Sequence, residues 1–312
     1  MTMNEVGTPN TNSGVAVIIC AYTEDRWEQL IDAIESVHNQ TQPADEIVVV
    51  IDHNPALLKR VQERFSYVKA VENAQEKGLS GARNTGIAAC HAPLIGFVDD
   101  DAVVEKNWIK ELSQIILQDA SVMGAGGRIV PKWETERPKW LPEEFYWVVG
   151  CTHKGVPEKT ADVRNLIGAN MLIRREVFDR VGDFRNGIGR VGTIPLGCEE
   201  TELCIRARQA IPNARFIYDP NTVIYHSVPS KRTGWSYFQS RCYAEGISKA
   251  VISKFVGQKD GLSAERSHAM KTLPLGVMTG LGDTLHGDLD GMKRAGAIIA
   301  GLMITTAGYI RG

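Results

Sequence analysis

Three consecutive carboxylates, Asp99, Asp100 and Asp101, follow the apolar run "APLIGFV". Like charges this close repel, and burying them bare is costly, so something must compensate them. A divalent cation shared by hard carboxylate oxygens is one answer. An acidic turn capping the helix around "KNWIKEL" is the other. Asp52 ends a second apolar run, "EIVVVID". A further pair, Glu199 and Glu200, opens "CEETELCIRARQA", which is acidic at its start and basic at its end. Acids in that position suit a helix dipole. A carboxylate there can equally take a proton from an attacking hydroxyl.

These residues need a frame. "VAVIIC" (Val15–Cys20) is a continuous apolar, β-branched run, as a strand covered on both faces requires. The next stretch places Trp27, Leu30, Ile31, Ile34 and Val37 on one helical face, with Thr23 where an N-cap would sit. Strands follow at Glu46–Asp52, "YVKAVEN" and Ala92–Val98, separated by the helices "LLKRVQERF" and "SGARNTGIAAC". This alternation predicts an α/β fold, a mostly parallel sheet flanked by helices. Ligands on such sheets bind beyond the carboxyl ends of the strands, where Asp52 and the Asp99–Asp101 run both fall. Residues 131–158, rich in Trp and Pro, read as a long excursion from the sheet. Leu166–Ile173 reads as a strand, "RFIYDPNTVIYHS" as two short strands ending at His226, and "WSYFQSRCYAEGISKAVISKF" as an amphipathic helix.

The 43% hydrophobic composition of the 312 residues is enough for one large domain with an attachment. A formal net charge of −2 gives no global basic field, so nucleic acid is not an expected partner. The six cysteines show no CxxC pair and no zinc-ligand spacing; reduced, buried thiols fit a reducing compartment. Residues 1–13 read as a flexible polar terminus without a secretory signal. The run "AGAIIAGLMITTAGYI", Ala295 to Ile310, is short for a spanning helix and long for a wholly apolar surface helix. Docking on the protein and seating in a membrane surface both suit it.

Taken in order, "CAYTED", the acid after the second strand, "GLSGARNTGI", "FVDDDA", "GANMLIRREVFDRVGDF" and "CEETELCIR" resemble the inverting family 2 glycosyltransferases of the GT-A fold. The resemblance covers roughly residues 14–230, leaving 231–312 as a C-terminal helical region with a possible membrane role. It implies that Ala21, Tyr22 and Glu24 line the nucleotide base and that Asp52 hydrogen-bonds it. It gives Gly78, Ser80, Arg83 and Asn84 to the segment closing over the ribose. Asp99 and Asp101 become the acids of the DXD motif, with Asp100 between them reaching ribose or sugar hydroxyls. Gly168, Ala169 and Asn170 face donor sugar and acceptor. Mn2+ or Mg2+ is the implied cofactor, ligated by Asp101 and Asp99, with His226 as another ligand. Glu200 becomes the general base, beside Glu199. The donor is a nucleotide-diphosphate sugar, with a UDP-sugar favoured. The family often has "DDGS" where this chain has "IDHN", which opens the question of base identity.

The block "RPKWLPEEFYWVVGCTHKG" is similar to the acceptor region of a subgroup acting on lipid-linked saccharides, including archaeal glucuronosyltransferases that extend dolichyl-phosphate sugars. Trp133, Trp140 and Trp147 are then core residues or platforms for a sugar or lipid-linked acceptor. A uronic acid donor would want a basic partner, for which Arg190, Arg185 and Lys132 are candidates. The expected location is cytoplasmic, peripheral at the cytoplasmic face of the cell membrane, with Lys249 and Lys254 meeting acidic headgroups. Two other classes compete: a nucleotidyltransferase-like sugar-nucleotide enzyme and a non-catalytic sugar-nucleotide-binding scaffold. A dinucleotide oxidoreductase is excluded, because "CAYTEDRW" lacks the glycine-rich turn after the first strand.

Overall fold

The computed structural model describes residues 14–189 and 196–312. In its first half, β1 (Val15–Ala21), α1 (Trp27–His38), β2 (Glu46–Ile51), α2 (Pro55–Arg64), β3 (Lys69–Glu72), α3 (Leu79–Ala89) and β4 (Leu94–Asp99) alternate as the sequence pattern predicts. Local chemistry sets the boundaries. Asn54 caps α2 by accepting from Leu57 N, with Pro55 just inside the helix. Thr23 caps the short 3₁₀ turn ahead of α1 rather than α1 itself.

β5 (Ala102–Val104), α4 (Trp108–Gln118), β6 (Val122–Trp133), β7 (Ala161–Val163), β8 (Asn170–Arg174), α5 (Arg175–Val181), α6 (Glu199–Ala210) and β9 (Arg215–Val228) build the second half. The chain ends in α7 (Trp235–Val256), α8 (Gln258–Gly261), α9 (Ser263–Ser267), α10 (Leu273–Leu285) and α11 (Asp290–Arg311). Among the described residues the strands form one sheet in the order β3-β2-β1-β4-β8-β6-β9-β5, with β7 against β9. The expected parallel character holds for β3-β2-β1-β4. β8 then runs antiparallel to both β4 and β6, so the other half is mixed.

Alternate residues of β1 feed opposite faces, as the two-residue period of a strand dictates. Val15, Val17 and Ile19 pack with Leu30 and Ile34 of α1. Ala16 and Ile18 pack with Ala82 of α3 and Leu203 and Ala207 of α6. Phe238, Cys242, Leu273 and Ile298 from the C-terminal helices join the first of these cores.

Several expectations are corrected. β9 is one strand, not two: its pairing with β6 slips between Gly127/Asp219 and Arg128/Val223, so residues 220–222 form a bulge within one strand, with Asn221 N donating to Asp219 Oδ1. β8 starts at Asn170, leaving Leu166–Ala169 outside the strand. Residues 131–133 belong to β6, and the excursion behind them carries a 3₁₀ segment, Glu143–Val149, largely buried. α7 is not one-sided: it buries Phe238 and Cys242 in the main core and Ile252 and Val256 against Cys198 and Ile205. Lys249 is buried and paired with Glu245 at 3.3 Å and Glu265 at 2.8 Å, so it does not meet headgroups. Lys254 is exposed and donates to the Gly312 carbonyl. All six cysteines are free thiols; burial pushes Cys20, Cys204 and Cys242 up to about 12.

Candidate active site

The carboxyl end of β4 delivers Asp99, and the chain then turns directly into β5. β5 pairs antiparallel with β9, setting Ala102 opposite His226. That register brings His226 Nε2 to 3.1 Å from Asp101 Oδ1. Asp99, Asp101 and His226 each present a ligand atom within 4.8 Å of the others. The acidic-turn alternative is set aside, because β5 intervenes and Asn107 occupies the N-cap position of α4. Gly150 backs the histidine: its φ is +81°, and a Cβ there would stand 3.1 Å from His226 Cε1. Only glycine meets both conditions cheaply.

The electrostatics divide the triplet. Burial raises Asp100 to about 7, against the pull of Arg26 and with the push of Asp101 and Asp99. Asp101 is equally buried, yet the charge and hydrogen bond of His226, with Arg232 and Arg26, hold it well below the usual carboxylate range. Burial opposes charge on His226, but Asp101 holds its pKa well above the ordinary value. Arg26 Nη1 lies 2.5 Å from Asp100 Oδ1 and 3.0 Å from Asp101 Oδ2, and Arg232 reaches Asp101 at 3.6 Å. Asp100 Oδ2 is buried with no hydrogen-bond partner. A buried orphan oxygen beside two carboxylates and an imidazole is a donor set suited to Mn2+ or Mg2+ with a polar ligand at its side.

At the carboxyl ends of β1 and β2, Asp52 N donates to Ala21 O, and Asn54 Nδ2 donates to Tyr22 O, so these two strand ends lie together. Asp52 Oδ1 accepts from Asn73 at 2.7 Å, and its Oδ2 accepts from Gly78 N at 3.0 Å. It thereby buckles the loop that begins α3. Tyr22 is exposed beneath the Arg26 guanidinium, and Glu24 is exposed beside Arg60.

Arg83 is the hub behind the acids. It is buried, donates to Glu199 Oε1 at 2.7 Å and to Gly168 O at 3.1 Å, and lies 3.6 Å from Asp99. Ser80 Oγ donates to Ile188 O at 2.6 Å. Asn84 exchanges hydrogen bonds with the backbone of Phe184. These bonds tie α3 to the segment leading to α6. Glu200 is free of Arg83 contact; burial and the neighbouring Glu199 raise its carboxyl to about 7, with Arg83 opposing. The carboxyl is therefore poised near neutrality, where a general base works best.

Not every expected residue faces this site. Asn170 is a correction: it is wholly buried, its Oδ1 accepts from Trp108 Nε1 at 2.7 Å, and its Nδ2 donates to Arg128 O. Ala169 is also in the core, and Gly168 lies against Arg83. Trp133, Trp140 and Trp147 are half-buried on the core, against Tyr146, against Trp235 and Phe238, and against Phe145 respectively. Of the three basic candidates, Arg190 lies outside the described residues. Arg185 is held by Glu202 at 2.7 Å, and Lys132 is exposed. Arg26 and Arg232 carry no sequence signal of their own; they close the short 3₁₀ turns Glu24–Arg26 and Ser230–Arg232 that follow β1 and β9.

The fold and the site define a GT-A glycosyltransferase, and the comparisons give its family. Residues 16–182 match the model of glycosyl transferase family 2, more than half of the chain. The chain belongs to that family and is a glycosyltransferase. It is 33% identical over 241 residues to the glucosyl-dolichyl phosphate glucuronosyltransferase of Haloferax volcanii, covering 76% of this chain and 77% of the relative. It is 24% identical over 216 residues to a pre-mycofactocin glycosyltransferase of Mycobacterium tuberculosis, which it spans for only 43% of that protein's length. The fold is shared with the mannosyltransferase PcManGT of Pyrobaculum calidifontis, solved with GDP-Man and Mn2+. That likeness has a TM-score of 0.57 at 17% identity, over 93% of this chain and 86% of that one. GalNAc-T7, solved with UDP, GalNAc and Mn2+, shares it with a TM-score of 0.54 at 15% identity, over 84% and 57%. Transfer of a glycosyl group, not of a nucleotidyl group, is therefore the reaction class.

Proposed function

We propose that this glycosyltransferase moves a sugar from a nucleotide-diphosphate donor, a UDP-sugar, to a hydroxyl of a lipid-linked saccharide, with inversion at the anomeric carbon. The observation that carries the reading is the convergence of Asp99, Asp101 and His226 beyond the strand ends. Those three side chains would hold Mn2+ or Mg2+. The cation, when bound, offsets the charge of the diphosphate leaving group. Two relatives of the fold were solved with Mn2+, which supports the cofactor.

In this reading Asp52, Ala21, Tyr22 and Glu24 form the base side. Gly78, Ser80 and Arg83 order the ribose side, and Asp100 uses its unpartnered oxygen on a ribose or sugar hydroxyl. Arg26 and Arg232 already crowd the acids and can turn to phosphate oxygens. Glu200 takes the proton of the acceptor hydroxyl, while Arg83 holds the Glu199 carboxylate in place. One base and one in-line attack invert the centre, unlike a covalent double displacement. The likeness to a dolichyl-phosphate-sugar enzyme supports a lipid-linked acceptor, met at a membrane face by the helical region 231–312. Among the described residues no helix is long and apolar enough to cross a membrane.

A panel of UDP-, GDP- and dTDP-sugars tests the donor. With Mn2+ present, a UDP-sugar is expected to raise the melting temperature through selective binding to the folded state. Stabilisation by GDP- or dTDP-sugars alone, or equal stabilisation without metal, would overturn the donor and cofactor assignments.

A further inference from the structure

α10 and α11 pack as an antiparallel hairpin, with Gly280 beside Gly291 and Gly276 beside Ile298. One face of the hairpin is used: Leu273, Ala295, Ala297 and Ile298 are buried. The other face carries large apolar side chains in the open. Leu275, Met278 and Leu285 stand out from α10, and Ile299, Met303 and Ile310 from α11, with Leu285 88% exposed. Six large apolar side chains exposed on one two-helix element are uncommon on a soluble monomer and mark an interaction surface.

Its charge pattern selects the partner. No Asp, Glu, Lys or Arg occurs in residues 272–282 or 295–310. The hairpin's three carboxylates, Asp283, Asp288 and Asp290, gather at the turn, where Arg294 and Lys293 pair them. At the opposite end Lys271 and Arg311 are exposed. An uncharged two-helix face with basic groups beyond it suits the headgroup and acyl boundary of an anionic bilayer. Neither helix is apolar enough to cross, so the hairpin would lie in the plane.

We propose that the outer face of the α10–α11 hairpin seats the protein on an anionic membrane surface. The proposal deepens the lipid-linked reading above and rests on it for purpose, not for geometry. The same hairpin braces the acceptor-side excursion. A Cβ at Gly301 would come within 2.4 Å of Phe145 Cε1, Gly276 faces Glu144, and Arg294 donates to Lys139 O. The hairpin therefore lies between the proposed bilayer surface and the segment that carries Trp140 and Trp147, and links the two.

The test is sedimentation of the full chain with vesicles of phosphatidylcholine, with and without phosphatidylglycerol. Met278→Glu/Met303→Glu serves as the variant, both positions being open and outside the core. The wild type is expected to sediment with the vesicles, more so with phosphatidylglycerol. The variant should partition roughly tenfold less, as loss of two apolar insertions implies. Its UDP-sugar-dependent melting shift and its transfer to a short-chain, water-soluble acceptor should match the wild type. A wild type that ignores both vesicle types, or a variant that binds them equally, would overturn the proposal. So would a wild-type dimer that the same substitutions split, because the face would then belong to a second copy. If vesicle binding behaves as expected but no lipid-phosphate acceptor is glycosylated, the seat stands and the acceptor reading falls.

Discussion

Glu199 and Glu200 are neighbours in the first turn of α6 and have different fates. Glu199 is clamped by the buried Arg83 guanidinium at 2.7 Å. Glu200 lacks that contact, and burial with the adjacent Glu199 charge raises it to about 7. The sign of the pH effect follows. A raised carboxyl is protonated, and useless as a base, below about pH 7, so kcat should fall as pH drops through that value. Stability runs the other way: the buried neutral form contributes below the ordinary carboxylate pKa, and that contribution is lost as pH rises towards 7. Glu200→Gln should lower kcat by about 10²–10⁴-fold, abolish the limb near pH 7 and leave donor-induced thermal stabilisation intact. A Gln variant with near wild-type kcat, or one that retains the limb, would remove Glu200 from the role. At this scale the acids were readable because carboxylates at strand ends and helix starts are visible in a one-dimensional pattern. Their arginine partners were not, because Arg26 and Arg83 meet Asp100 and Glu199 across 74 and 116 residues of chain.

Among the elements, the segment leading into β8 shows how a matching motif can serve packing. The small residues of "GAN" let the backbone approach Arg83, while Asn170 turns inward to the indole of Trp108. A buried amide bonded to an indole N–H leaves a costly orphan if the donor goes. Trp108→Phe should therefore destabilise the fold by roughly 1–3 kcal/mol, read as a shift of the urea midpoint, with donor affinity unchanged. Unchanged stability with weakened donor binding would return Asn170 to the donor site. The strands β1, β2 and β4 of the parallel half were legible because each is a continuous apolar run bounded by turn residues. β9 misled because Asp219, Pro220 and Asn221 carry turn chemistry, whereas pairing with β6 on one side and β5 on the other holds a bulge instead. α7 misled for a related reason: partners on several sides erase the single apolar stripe that a surface helix shows.

For the molecule as a whole, the parallel half β3-β2-β1-β4 lays one row of acids along its carboxyl edge. The mixed half folds β9 back so that His226 closes on Asp101. No local pattern announces that closure, since it depends on the β5–β9 register. It is nevertheless what gathers an acidic loop and an imidazole into a candidate set of cation ligands, on which the proposed nucleotide and acceptor assignments rest. Crystals grown with UDP and Mn2+ and measured at the manganese absorption edge examine it directly. One anomalous peak is expected in coordination contact with Asp101 and His226 and with a diphosphate oxygen, absent from crystals of Asp101→Asn. A manganese peak away from these side chains, or an unchanged peak in Asp101→Asn, would contradict it.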